Sequence, residues 1–192
     1  MCRILAHEMG ANMVEMVGSN LEEPKQLQAQ LAAIHENDIL FIDELHSLRR
    51  NVEEILYSAM EDGTLSYVPD NGESFNDVMK AIGLGGSMSR AKTVHLPPFT
   101  LIGATTLPGL MSAPLRSRFV QTLNLEPYSI EELKRIVLGA AKKMGFAVSE
   151  KVAEEVARRS RNTARLAVGH LTWLREFCTA GGHKATLETV SQ

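Results

Sequence analysis

The spacing of apolar residues changes period several times along the chain, and each change predicts an element. Residues 1–9 read as a helical start that Gly10 ends, and the pattern over residues 12–17 predicts a short strand. Pro24 stands where a helix begins, a position that tolerates its missing N–H, and residues 26–34 carry apolar side chains at helical spacing. Asp38-Ile39-Leu40-Phe41-Ile42 is a continuous apolar run that ends in acids, the pattern of a strand covered on both faces of a parallel sheet. Residues 47–62 return to helical spacing, with Val52, Ile55, Leu56 and Ala59 on one face. Further strands are predicted at 64–68, 92–96, 99–104 and 121–125. Alternation of this kind implies an α/β layered domain with a parallel sheet.

Residues 70–91 break the pattern with Asn71-Gly72, Gly83 and Gly85-Gly86, and read as an exposed excursion between two hairpin strands. After Pro127 the periodicity is helical throughout. Ser129 and Glu132 form an S-x-x-E capping box, Gly145 ends that helix, Ser149 starts a second, and a third runs from Asn162 to about Cys178 before Gly181-Gly182. Trp173, aligned with Ala167, His170 and Leu174, is expected to be buried between these helices. The expected organisation is therefore an α/β part over 1–126, with its hairpin near 64–96, and a small helical part over 127–192.

Composition narrows the function classes. The 192 residues are 44% hydrophobic and 22% charged with a formal net charge of -3, ordinary for a globular protein. No apolar run approaches the roughly 20 residues of a membrane span, and Arg3, His7 and Glu8 interrupt the start, so a cytoplasmic protein without a secretory signal is expected. Cys2 and Cys178 are isolated and give neither a disulfide framework nor zinc spacing. Charge is uneven: residues 1–128 hold 9 Lys and Arg against 16 acids, whereas 129–192 hold 11 against 7. A basic excess of that size suits a phosphate-bearing partner, and equally a solvated helical face.

Four stretches carry candidate chemistry. In LFIDELH a buried strand delivers Asp43 and Glu44 to the sheet edge where α/β proteins bind ligands. In nucleotide hydrolases of this architecture the first acid holds Mg²⁺ and the second polarises the attacking water; the other reading is a surface acidic turn. In FTLIGATT another strand ends in Thr105 and Thr106, whose hydroxyls either cap a loop or orient water near a γ-phosphate. SAPLRSRF presents Arg116 and Arg118, solvated cations or a bidentate contact to a neighbouring subunit's triphosphate. SRNTARLA puts Arg165 in the first turn of a helix, where the dipole disfavours a cation and a phosphate contact would explain it. His46 is either a plain hydrogen-bonding loop residue or a link from the nucleotide site to a neighbouring subunit.

The ordered series LFIDELH, VEEILYSAMED, LPPFTLIGATT, APLRSRF and RSRNTARLA resembles the AAA+ motor of the RuvB family, ATP-driven Holliday-junction branch-migration helicases. The resemblance implies an AAA+ P-loop NTPase-like parallel sheet, N-terminally truncated, followed by an all-helical lid, with ATP and Mg²⁺ as cofactors. It makes Asp43 the Mg²⁺-coordinating acid, Glu44 the catalytic base, Thr106 or Thr105 the sensor 1 position, Arg118 an arginine finger acting in trans and Arg165 the sensor 2 arginine. It also implies a homo-hexamer, a RuvA-like partner docking on the hairpin near 64–96, and Holliday-junction DNA held through domains outside these residues.

The sequence departs from the family pattern in several places. It contains no G-x-x-x-x-G-K-[ST], the loop whose amides and lysine cradle phosphates, so the chain is expected to be inactive alone. The excursion at 70–91 is longer than the family's hairpin, and Ala164 stands where the family has proline. Two alternatives stay open: a clamp-loader-like AAA+ ATPase, which Ser117-Arg118 also fits, and a non-catalytic AAA+ assembly module.

Overall fold

The structure, a computed structural model, describes residues 2–67 and 92–191. It divides into two compact units, Met1–Thr122 and Leu123–Gln192.

The first unit is built on a three-stranded parallel sheet of β1 (Met13–Val17), β2 (Ile39–Asp43) and β5 (Thr100–Gly103), with β2 in the centre. Ile39, Leu40 and Ile42 of β2 are fully buried, which is what a strand covered on both faces requires. An antiparallel pair, β3 (Thr64–Tyr67) and β4 (Lys92–His95), forms a separate ribbon, with Leu65 facing Val94. The excursion expected at 70–91 lies outside the described residues.

Helix α1 (Cys2–Met9) buries only Ala6. Helix α2 (Pro24–Ala32) starts on the expected proline, with a reciprocal cap between Glu23 and Gln26, and buries Leu27 and Leu31. Helix α3 (Arg50–Glu61) buries Val52, Leu56 and Ala59, along the face that the periodicity marks, and also Glu53. Helix α4 (Ala113–Arg118) is capped by Ser112, whose side chain accepts from the Leu115 amide, and it sends Leu115 into the core. Each fully buried leucine here stabilises the unit by about 1.5–3 kcal/mol relative to exposure.

The strand expected at 121–125 does not form. These residues have no ladder partner among the described residues, and Leu123 and Leu125 are 69% and 74% exposed. Apolar alternation makes a segment suitable for a sheet, but only a neighbouring strand satisfies its amides and covers its side chains.

The second unit consists of α5 (Ile130–Lys143), α6 (Glu150–Arg159), α7 (Ala164–Gly181) and α8 (Leu187–Ser191). The Ser129–Glu132 capping box forms in both directions, Gly145 takes φ +64°, and Ser149 caps α6. The helices close over Leu133, Val137, Val152, Val156, Leu171 and Leu174. Arg161 and Asn162 turn the chain at positive φ, and the Asn162 amide donates to the Tyr128 carbonyl at 2.8 Å. Trp173 departs from expectation: it is 51% exposed, stacked 5.3 Å from Phe177, and lines an open cleft with His170 and Leu174. Small residues and leucines already fill the helix interface, so the indole lies at its rim. No helix among the described residues is long and apolar enough to cross a membrane.

Candidate functional site

Register brings three strand ends to one edge of the sheet, since Val17 pairs with Asp43 and Ile42 with Gly103. Ligands of open α/β sheets bind at that edge. Asp43 is exposed there, one carboxylate oxygen accepting the Glu44 amide at 3.0 Å.

The backbone then turns abruptly. Glu44 adopts φ +52°, ψ +47°, the left-handed conformation that a side chain disfavours. Its carbonyl accepts the Ser47 amide at 2.8 Å and the Ser47 hydroxyl at 2.6 Å, and the next amide, Leu45, donates to Ala104 at the end of β5 at 2.8 Å. Gly18, directly after β1, makes room: a Cβ there would lie 2.5 Å from the Glu44 carbonyl oxygen and 2.8 Å from Ser47 Oγ. Neighbours on both flanking strands therefore over-determine a strained acid, an arrangement that clusters at functional sites more than at plain surface turns.

His46 links the two strand ends through its side chain. Its Nε2 lies 3.3 Å from Glu44 Oε2 and its Nδ1 2.8 Å from Thr105 Oγ1, with the ring only 13% exposed. A proton on Nε2 would face the Glu44 carboxylate and leave Nδ1 to accept from the Thr105 hydroxyl. Thr105 Oγ1 also accepts the Leu107 amide at 3.1 Å, which fixes the hydroxyl from its other side. Thr106 is exposed and makes no hydrogen bond among the described residues, so of the two threonines it is the one with a free hydroxyl.

Arg118 ends α4. Its Nε and Nη2 donate to Glu61 Oε2 at 3.1 and 2.5 Å, its Nη1 donates to the Pro114 carbonyl at 2.9 Å, and its guanidinium carbon stands 4.6 Å from the centre of the Tyr57 ring. Arg116 is exposed and forms no ion pair among the described residues. Beneath the tyrosine, buried Glu53 accepts both the Tyr57 and Ser112 hydroxyls at 2.7 Å. Burial raises the Tyr57 phenol above its ordinary pKa, which keeps it protonated and donating.

Arg165 belongs to the second unit. It is the second residue of α7, exposed, and without a hydrogen bond or ion pair among the described residues. The structure thus gathers Asp43, Glu44 and Thr105 at one sheet edge, leaves Thr106 exposed just beyond them, and holds Arg118 against α3. Sequence reasoning passed over Gly18, Ser47, Glu53, Tyr57 and Glu61. A signal was present for the last three, which recur every four residues and so share one stripe of α3.

No group of three or more His, Cys, Asp or Glu residues able to hold a metal occurs among the described residues. A single exposed carboxylate nevertheless fits Mg²⁺, which takes one or two carboxylates and completes its shell with phosphate oxygens and water.

A parallel sheet whose central strand ends in paired carboxylates, followed by a small helical unit, defines the AAA+ class of P-loop NTPase-like folds. Residues 1–125 match the family described as "Holliday junction DNA helicase RuvB P-loop domain", and residues 128–192 match "RuvB AAA lid domain". The chain belongs to the RuvB family. Its relatives include the Holliday junction branch migration complex subunit RuvB of Fusobacterium nucleatum, 42% identical over 188 residues, and that of Helicobacter hepaticus, 41% identical over 189. Each alignment covers 98% of this chain and 52% of the relative, so the chain spans about half the length of the curated relatives it matches. The RuvB Holliday junction branch migration motor of Thermotoga maritima superposes with a TM-score of 0.78 at 34% identity, covering 97% of this chain and 53% of that one.

Proposed function

We propose that this chain supplies the hydrolytic edge and the lid of an ATP-driven motor that migrates Holliday junctions in recombination and repair. In this reading residues 1–126 form the large AAA+ domain and 127–192 the lid, and six subunits form a ring in the cytoplasm. The observation that carries the reading is the Glu44–His46–Thr105 bridge, which ties a strained acid at the end of β2 to the end of β5.

Bound ATP would supply the scissile phosphoanhydride, and a bound Mg²⁺ would supply charge neutralisation for its phosphate oxygens. Asp43, exposed at the strand end, would hold the metal. Glu44 accepts the proton of the attacking water, and His46 keeps its carboxylate in one orientation. The free Thr106 hydroxyl orients that water or touches the γ-phosphate, while Thr105 supports His46. Arg118 reaches the nucleotide of the neighbouring subunit, and Arg165 contacts phosphate from the lid. The β3–β4 ribbon docks a RuvA-like partner, and junction DNA is gripped mainly by parts of the relatives' length that this chain does not span.

The test uses the chain extended ahead of residue 1 by a G-x-x-x-x-G-K-[ST] segment, which supplies the amides and lysine for the β- and γ-phosphates. This extended protein should hydrolyse ATP. Glu44→Gln should lower turnover by about 10²–10⁴-fold, the range of a positioned general base. Undiminished turnover in that variant would overturn the reading.

A further inference from the structure

Arg118 carries a role in the reading above, yet nothing in that reading explains how a long side chain at the end of a six-residue helix is aimed. Arginine loses considerable rotamer freedom when fixed, so an aimed guanidinium needs a built support. The structure contains one. The Tyr57 ring lies under the guanidinium at 4.6 Å, within cation–π range. The ring itself is pinned: its hydroxyl donates to buried Glu53 Oε2 at 2.7 Å and lies 3.0 Å from Ser112 Oγ. Ser112 donates to the same Glu53 oxygen and caps α4, the helix that carries Arg118. One carboxylate of α3 therefore fixes both the platform and the helix whose arginine stands on it.

Glu61, a further turn along α3, sets the rotation of the guanidinium in its plane. Its Oε2 takes the Nε and Nη2 protons, and the Pro114 carbonyl takes one from Nη1. These contacts use three of the five N–H donors and leave one on each terminal nitrogen, a pair on adjacent atoms that suits an oxyanion. Pairing with Glu61 thus leaves donors for a second partner. Arg116, two residues earlier, has no comparable support among the described residues.

We infer that Tyr57 is a positioning residue for Arg118, a platform held by Glu53 and Ser112 on which the guanidinium is aimed at a phosphate of another subunit, with Glu61 fixing its rotation. The inference rests on the reading of Arg118 as a contact made in trans.

Two measurements separate the platform from that reading. The first follows the arginine side-chain Nε–H signals of the 192-residue chain by NMR. Arg118 should show a ring-current shift and slowed exchange in the unsubstituted chain; Tyr57→Phe should keep the shift, Tyr57→Leu should lose it, and Glu61→Gln should lose the slowed exchange alone. An unshifted Arg118 signal in the unsubstituted chain overturns the platform even if Tyr57→Leu fails to fold. The second measures ATP turnover of the extended protein with subunits mixed. Tyr57→Leu should lower kcat about tenfold, between the scales of an exposed and a desolvated cation–π contact, with KM for ATP little changed and near-full rescue by Tyr57→Phe. Tyr57→Leu subunits should regain turnover when mixed with Glu44→Gln subunits and gain nothing when mixed with Arg118→Ala subunits. Recovery with Arg118→Ala would overturn the inference. Unchanged turnover in Arg118→Ala itself would instead sink the trans reading, while the NMR result judged the platform independently.

Discussion

His46 Nδ1 stands 2.8 Å from Thr105 Oγ1, and this contact joins the loop after β2 to the end of β5 over 59 residues of sequence. Its other nitrogen lies against Glu44, so the imidazole transmits the position of one strand end to an acid on the next. Replacing it should change how well that acid is placed more than how well nucleotide binds. In the extended protein, His46→Ala should lower kcat for ATP about tenfold or more with KM little changed, as expected when a positioning interaction acts in the transition state. His46→Gln, whose amide can donate to Glu44 and accept from Thr105, should recover part of the loss. Steady-state kinetics of the two variants check this, and a rise in KM at constant kcat would contradict it.

Gly18 should be intolerant of any side chain. A Cβ there meets the Glu44 carbonyl oxygen at 2.5 Å, and that oxygen is held by two donors from Ser47 and cannot retreat freely. Gly18→Ala should destabilise the chain by about 1–3 kcal/mol, the range for forced overpacking. A urea titration should show the midpoint falling at constant slope. An unchanged midpoint would mean that the turn is not held as described.

Acid stability should depend on Asp38. Its buried carboxylate accepts the His35 amide at 2.9 Å and the Asn12 side-chain amide at 3.2 Å, and the His35 amide is the chief reason that its pKa lies below the ordinary value of 3.8. A group depressed on folding contributes stability that is present above its unfolded pKa and lost as pH falls through the folded one. Thermal melts from about pH 6 down to about pH 2 should therefore show an acid limb below roughly pH 4. Asp38→Asn should flatten that limb, and an identical limb in the variant would refute the assignment.

The layers of the fold were legible in the sequence because burial leaves a periodic trace. The apolar run of β2, the single buried face of α3 and the capping box at Ser129 all formed where the pattern put them. Residues 121–125 misled because alternation reports a suitable face and says nothing of whether a strand lies beside it. Trp173 misled because size and apolarity suggest burial, while its interface was already filled by leucines and alanines. At the candidate site, Asp43 and Glu44 were visible as acids that end a buried strand. The left-handed turn at Glu44 and the close approach of Gly18 were not, since both arise from backbone meeting backbone across strands distant in sequence. Tyr57 stood on a legible stripe with Glu53 and Glu61, but its pairing with Arg118 depends on how α4 lies on α3.

The most direct test of the account is ATP hydrolysis by the extended protein when two inactive variants are mixed. In the proposed reading, Glu44→Gln removes the base from a subunit's own site, whereas Arg118→Ala removes the cation offered to its neighbour, a loss of about 10³-fold or more for a contact of this type. Each variant alone should turn over ATP poorly. Mixed in equal amounts they should regain turnover, because an intact Glu44 on one subunit then meets an intact Arg118 on the next. A mixture no more active than its components, with ring assembly confirmed, would contradict a site shared between subunits.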